Sequence, residues 1–418
     1  MTIEPARLDG FLASIIAADG FGGCRAILHG PGGCRINPSR AASRNVLREF
    51  SIREGPFYFS LPRVPCTFID EEDYINGADY KVEGLLDTVD DAEVCVIVCS
   101  PGASLIGDDL HGAAARSSFG GEVIVLESNH ASLPAHVGYD AAVAAMVGGL
   151  CGRSETRMGT VNILGVPVFL DGWEDTVREF RGYLEAMGLE VLSAPGCGCS
   201  VTELRVSTAA EFNVTVLPEF AWSTSEAYAR LCVPTFTPPV PAGFGSTESW
   251  ISAVADRAGA DPSKALGMCR SRSARARAVL RGNMFEGLTY RNATYSLDLD
   301  STAALPLMEW LYSYLGMFPA EVVRKNWWTE DYAASVEEFL DSIGCAEALV
   351  DALAPARCDV VLGPGQTARL LEVSGRCMAG IDLWPPSLHN MWFRGRPFLG
   401  AEGALRILDE MFEHVLRD

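Results

Sequence analysis

Basic residues are scarce in this sequence of 418 residues, because 33 Lys and Arg face 54 Asp and Glu and leave a formal net charge of −21. Nucleic-acid binding needs clustered cations to neutralise phosphates, so we expect no nucleic-acid partner. Long apolar runs are also lacking, since no stretch reaches the roughly 18 residues that a membrane-spanning helix needs. We therefore expect no membrane partner either.

No export signal is predicted either. Residues 1–7 contain no basic cluster, and the apolar stretch 11–18 is interrupted by Ser14 and followed by Asp19. These features predict neither a secretory signal nor a spanning helix, so we expect a soluble, cytoplasmic protein. Hydrophobic residues make up 48 % of the chain, which is enough for a substantial core and for two or three domains.

The number of cysteines is odd. Thirteen are present, and in a chain without an export signal an odd number does not indicate a disulfide framework. Metal or iron–sulfur ligation is the alternative.

Short runs rich in Val, Ile and Leu recur along the whole chain and leave room for helices between them, which is typical of parallel α/β sheets. The predicted strands cover residues 25–28, 94–99, 122–126, 161–164, 191–193, 212–217, 293–297, 321–323, 360–362 and 378–381. The predicted helices cover residues 80–88, 140–147, 175–187, 224–230, 247–258, 303–314 and 329–341. An Arg-rich stretch, residues 270–281, indicates an exposed or interdomain helix. We predict three α/β domains, residues 1–155, 156–275 and 276–418.

A glycine-rich loop directly follows the first predicted strand. It contains His29, Gly30, Gly32, Gly33 and Cys34. Its glycines allow the backbone to approach a bulky group closely, and Cys34 stands where the loop ends. The alternative is a tight turn with an ordinary buried cysteine.

A second cysteine ends another predicted strand. Cys99 closes the strand 94–99 and lies 65 residues after Cys34. Because ligands of parallel sheets gather at the carboxyl ends of the strands, both thiols are expected in one crevice. Thiolates suit iron–sulfur clusters, and this spacing requires the tertiary fold to assemble the site.

Several ordered motifs resemble those of nitrogenase component 1 subunits and their relatives, the cofactor-assembly scaffolds and the dark-operative protochlorophyllide reductase subunits. The motifs are His-Gly-Pro-Gly-Gly-Cys at 29–34, Cys66 with the acidic turn 71–73 and Gly77, Ile-Gly-Asp-Asp-Leu at 106–110, Ser-Leu-Pro-Ala-His-Val-Gly-Tyr-Asp at 132–140, Val-Asn-Ile-Leu-Gly at 161–165, the segment 212–250, and Gly-Ala-Glu-Gly-Ala at 400–404. The resemblance covers nearly the whole chain.

The resemblance implies three Rossmann-like domains with parallel sheets flanked by helices. It also implies an oxidoreductase subunit that is active in a complex with a homologous component 1-type subunit, either a different chain or a second copy. An iron–sulfur cluster, 4Fe–4S or larger and P-cluster-like, would lie at that interface and receive electrons from an ATP-dependent 4Fe–4S reductase. The small-molecule substrate could be a tetrapyrrole, a carbon–sulfur compound or dinitrogen.

The family's cluster ligands can be carried over residue by residue. Cys34 matches the cysteine of the His-Gly loop. Where the first family cysteine would stand at a helix start, this chain has Asp9, which is either an oxygen ligand, as in the chlorophyll-type reductases, or a helix N-cap. The third ligand position falls on Pro101, so that Cys99 fits only with a shift of two residues. Ser132 falls near a serine that ligates the cluster in some nitrogenases, or is a turn residue.

Two further cysteines are candidates to replace a missing ligand. Cys24 and Cys66 lie near the same loops in sequence. The alternative is that both are buried cysteines that only pack in the core. Leu217 and Leu399 stand where the catalytic alpha subunit of nitrogenase anchors its large cofactor through Cys and His, so the resemblance gives no support for that anchoring. A cluster-assembly scaffold and a cluster-free small-molecule binding protein therefore remain alternatives.

Overall fold

Three parallel sheets organise the chain in the computed structural model, which describes residues 8–35, 64–126, 128, 130–282, 290–354, 357–387 and 394–415. Within these residues the sheets have three, four and five strands. All strand pairs that build them are parallel, which confirms the predicted α/β class. In the described part of the chain, no helix is long and apolar enough to cross a membrane.

The first unit has the strand order β1-β2-β3. Its elements are α1 (Gly10–Asp19), β1 (Cys24–His29), α2 (Asp73–Asn76), α3 (Asp79–Leu86), β2 (Val94–Cys99), α4 (Leu110–Arg116), β3 (Glu122–Leu126) and α5 (Ala135–Leu150). Successive strand residues point to opposite faces. One face of the sheet therefore packs against α1 and α5, whereas the other packs against α3 and α4.

The middle unit has the strand order β5-β4-β6-β7. Its elements are β4 (Arg157–Leu164), α6 (Trp173–Ala186), β5 (Glu190–Ser193), α7 (Val201–Val206), β6 (Ala210–Thr215), α8 (Trp222–Arg230), β7 (Thr235–Phe236), α9 (Phe244–Ala258) and α10 (Ser263–Gly282). The Arg-rich stretch is thus helical, as predicted.

The last unit has the strand order β10-β9-β8-β11-β12. Its elements are β8 (Thr294–Leu297), α11 (Ala304–Trp310), a π-helical turn (Leu311–Leu315), β9 (Phe318–Val323), α12 (Glu330–Ser342), β10 (Leu349–Val350), β11 (Val360–Pro364), α13 (Gly365–Val373), β12 (Ala379–Trp384) and α14 (Gly400–Val415).

Helix α14 returns to the middle unit and packs against α6, α9 and α10. Glu179 of α6 accepts the backbone N–H groups of Ala401 and Glu402 at 3.0 and 3.3 Å. Burial raises the pKa of this carboxyl to about 7.

The two predicted domain boundaries fall at different kinds of place. The boundary between residues 155 and 156 lies in the connection between α5 and β4. The boundary between residues 275 and 276 lies inside α10, so it divides one continuous helix.

Helices α1 and α5 make a close contact in the first unit. A Cβ atom added at Gly138 of α5 would overlap the backbone of Gly10 at the start of α1. The absence of a side chain at Gly138 therefore sets the distance between the two helices, and α1 leads directly into β1.

We predict that Gly138→Ala destabilises the protein by about 2 kcal/mol, because an added methyl group has no room without backbone movement. Urea denaturation followed by circular dichroism measures the effect. Gly148→Ala is the matched control in the same helix, since nothing lies within 4 Å of its added Cβ. An equal effect of the two substitutions would contradict the close contact.

Candidate functional site

The carboxyl edge of the first sheet collects most of the predicted site residues. Cys34 lies in the 3-10 turn (Gly32–Arg35) that follows β1, and Cys99 ends the neighbouring strand β2. Ser132 lies in the loop after β3, with a φ of +63°. Asp9 lies at the same edge because α1 is antiparallel to β1 and therefore begins there. Gly10, the first residue of α1, donates its N–H to the Leu133 carbonyl in the Ser132 loop at 2.8 Å.

Asp9 is the N-cap of α1. Its Oδ1 accepts the backbone N–H of Leu12 at 2.9 Å, which satisfies one of the free donors at the helix start. The cap that the sequence allowed is therefore present. Asp9 also pairs with Pro134 in an isolated bridge, so its backbone lies beside the loop that contains Ser132.

Cys34 and Cys66 differ in their surroundings. Cys34 is half-buried, packs against the main core, and its thiol makes no hydrogen bond to another residue that the structure describes. The Cys66 thiol is buried and donates to the Gly30 carbonyl at 3.0 Å. Of these two thiols, Cys34 is the one that is available to a ligand.

The two remaining cysteines occupy different places. The Cys99 side chain packs in the apolar cluster between the sheet and the helices α3 and α4. Cys24 begins β1, about 16 Å from the carboxyl edge at the usual rise per strand residue. The structure therefore does not bring Cys24 together with Cys34, although the two are close in sequence.

A buried hydrogen-bond network holds the start of the Cys34 loop. His29 Nε2 lies 2.8 Å from Asp108 Oδ2, and His29 Nδ1 lies 3.2 Å from Thr67 Oγ1. The Gly30 N–H donates to the same Thr67 oxygen at 3.0 Å. The sequence motifs include His29 and Asp108, but none includes Thr67, because Thr67 meets His29 only through the tertiary fold.

The donor set fits an iron–sulfur cluster only in part. In the described ranges, no group of three or more His, Cys, Asp or Glu side chains is placed to hold a metal ion. The Cys34 thiol is a suitable soft ligand, and the Asp9 carboxylate and Ser132 hydroxyl lie at the same edge. Among the described residues, this edge thus offers the Cys34 thiol and two oxygen donors.

A buried histidine lies among aromatic side chains where the three units meet. His136 of α5 packs among Phe220, Trp222 and Trp327, with ring centroids 4.3 to 6.1 Å away. Its Nδ1 has no hydrogen-bond partner in the described part of the chain. Burial lowers the pKa of His136 to about 4, so the ring is neutral at physiological pH.

Comparison with known proteins agrees with this architecture. Residues 10–416 match the family described as "Nitrogenase component 1 type Oxidoreductase". The chain belongs to this family. Its fold matches the solved structure "Nitrogenase Cp1 at pH 6.5" with a TM-score of 0.79, over 100 % of this chain and 93 % of that chain at 15 % identity. The predicted family and the predicted three-sheet fold are therefore confirmed.

Two relatives from Methylobacterium are subunits of light-independent protochlorophyllide reductase. The chain is 26 % identical over 78 % of its length to the subunit from Methylobacterium radiotolerans. It is 24 % identical over 66 % of its length to the corresponding subunit from Methylobacterium sp. (strain 4-46). The chain spans 62 % and 54 % of the length of these two relatives, so they share only part of their sequence with it.

We predict that His136 makes stability fall in mild acid. Its pKa is lowered from 6.5 in the unfolded chain to about 4 in the folded one, so its contribution is present above pH 6.5 and is lost as the pH falls towards 4. Replacing it should reduce the loss of stability between about pH 7 and pH 5 by about 2 kcal/mol.

Urea midpoints of wild type and His136→Phe at the two pH values measure this difference. Phenylalanine keeps an aromatic ring in the same surroundings. Identical pH profiles for wild type and His136→Phe would contradict the assignment.

Proposed function

We propose that the chain is a subunit of a nitrogenase-like oxidoreductase. It accepts low-potential electrons from an ATP-dependent iron–sulfur reductase through an iron–sulfur cluster at an interface with a second component 1-type subunit, and it passes them to a reducible small molecule. The observation that carries this proposal is the half-buried Cys34 thiol in the loop after β1, at the carboxyl edge of the first sheet. Asp9 and Ser132 lie at the same edge.

Each of these residues has a distinct task in the proposal. A bound iron–sulfur cluster supplies one-electron transfer at low potential. Cys34 provides a thiolate ligand, and Asp9 and Ser132 offer oxygen ligands. The glycines Gly30, Gly32 and Gly33 allow the backbone to approach closely, and burial of the loop underside keeps water from that face.

Exposed apolar side chains surround this edge and support docking of the second subunit there. Ile75 is 83 % and Leu105 is 86 % exposed, and Phe68 and Leu133 are 52 % and 44 % exposed. Apolar side chains that gather around one site are typical of an interaction surface. The partner would complete the ligand set and cover these side chains.

A cluster-assembly scaffold is the second candidate. Leu217 and Leu399 are both buried in the main core at the positions where the resemblance puts cofactor anchors in the catalytic alpha subunit. A chain without those anchors is compatible with a beta-type subunit and with a scaffold that carries a cluster only transiently. Turnover of substrate with reductase and ATP separates the two.

We predict that anaerobically purified wild type, co-expressed with its partner subunit, contains iron and acid-labile sulfide, and that Cys34→Ala loses both. The reason is that the variant removes the thiol that, in this proposal, ligates the cluster. Metal analysis and EPR of the dithionite-reduced protein measure the loss.

Cys24→Ala is the matched control, because it removes a cysteine at the opposite end of β1 and should retain its iron. Equal iron in wild type and Cys34→Ala would exclude Cys34 as a ligand. Iron absent from the wild-type complex would leave the cluster-free binding role as the better account.

We also predict that Leu105→Asp weakens the complex at least about tenfold, since a charge would be buried in an apolar contact. Analytical ultracentrifugation of the complex measures this change. Leu370→Asp, at a position of α13 that is 55 % exposed, is the control and should leave association unchanged. Equal association of both variants and wild type would place the interface elsewhere.

A further inference from the structure

Gly30 is held at both of its backbone polar groups. Its carbonyl accepts the Ile69 N–H at 3.1 Å and the Cys66 thiol at 3.0 Å, and its N–H donates to Thr67 Oγ1 at 3.0 Å. These three partners lie in one segment, residues 64–69, which we call the strap. The strap therefore fixes the residue at which the Cys34 loop begins.

The hydrogen bonds of the strap continue in one direction. The Gly30 carbonyl already accepts two hydrogen bonds, so the Thr67 hydroxyl has its nearest acceptor in His29 Nδ1, 3.2 Å away. An accepting Nδ1 leaves the proton of the neutral ring on Nε2, which donates to Asp108 Oδ2 at 2.8 Å. Gly30, Thr67 and His29 thus donate one after the other, and the Asp108 carboxylate accepts at the end.

The far end of this network is fixed as well. Asp108 Oδ1 accepts the backbone N–H of Ala78 at 2.8 Å, just before α3. His29 is fully buried, Thr67 is 7 % exposed, and the Asp108 side chain is 6 % exposed. Water cannot easily replace a hydrogen bond that is lost in such surroundings.

The strap also contains an unfavourable backbone conformation. Phe68 has a φ of +52°, which a bulky residue rarely adopts. Its ring lies against Gly32, where an added Cβ would come within 2.6 Å of it. The hydrogen bonds of Cys66, Thr67 and Ile69 on both sides hold Phe68 over the loop, so loss of these bonds would favour release of the strap.

We propose that Thr67, His29 and Asp108 form one relay that positions the Cys34 loop. They are positioning residues, which act on Cys34 through Gly30 and the strap. Their importance for a cluster rests on the proposed function, but their effect on the Cys34 thiol does not. Cys34 packs against the core, and a released loop exposes its thiol.

The test measures the rate at which iodoacetamide alkylates Cys34 in the full-length, cluster-free chain, with peptide mass spectrometry to separate Cys34 from the other cysteines. Thr67→Val and Asp108→Asn should each raise this rate about fivefold or more, because each breaks a buried hydrogen bond. Thr67→Ser keeps the hydroxyl and should restore the wild-type rate.

Asp109→Asn is the matched control, since the neighbouring carboxylate Asp109 caps α4 through the Gly112 N–H at 2.9 Å. It should leave the rate unchanged. The double variant Thr67→Val/Asp108→Asn should alkylate no more than about twofold faster than the faster single variant, because the members of one relay are not additive.

Wild-type rates in both single variants would overturn the proposal. A Thr67→Val chain that loses its circular dichroism signal while Thr67→Ser keeps it would assign the hydroxyl to folding and would overturn the positioning role. Iron analysis of the wild-type complex is a separate readout. A wild-type complex without iron would disprove the cluster, but it would not change what the alkylation rates say about the relay.

Discussion

The parallel register between β1 and β2 is the constraint on which the candidate site depends. It sets His29 opposite Cys99, so the loops after the two strands begin side by side. Ser100 N–H donates to the His29 carbonyl at 2.9 Å, and Gly30 has no room for a side chain beside Ser100. A shift by one residue would turn His29 away from Asp108.

The sequence predicted those parts of the fold that depend on local pattern. The strands 94–99 and 122–126 have the predicted bounds, because each is an apolar run between polar residues. β4 begins at Arg157, earlier than predicted, since its first residues are exposed and carry no apolar pattern. In the site, the motifs predict Cys34, Asp9 and Ser132 as ligands. Cys24 is near Cys34 in sequence but lies at the other end of β1, whereas Thr67 is distant in sequence from His29 and contacts it.

Aromatic side chains from all three units pack together where the units meet. His136 comes from the first unit, Phe220 and Trp222 from the middle one, and Trp327 from the last. Glu219, buried in the same region, accepts the Ser301 hydroxyl at 2.6 Å and the Thr302 N–H at 3.1 Å. Apolar rings and paired polar groups therefore join the units at the carboxyl ends of their strands.

The return of α14 to α6 has a consequence for synthesis on the ribosome. Glu179 accepts the backbone N–H groups of Ala401 and Glu402, which are translated more than two hundred residues later. Until they emerge, the nascent middle unit keeps an apolar helix face and a carboxylate without their final cover. Completion of this unit therefore waits until residues 401 and 402 have been translated, and the apolar face of the unit stays uncovered in the meantime.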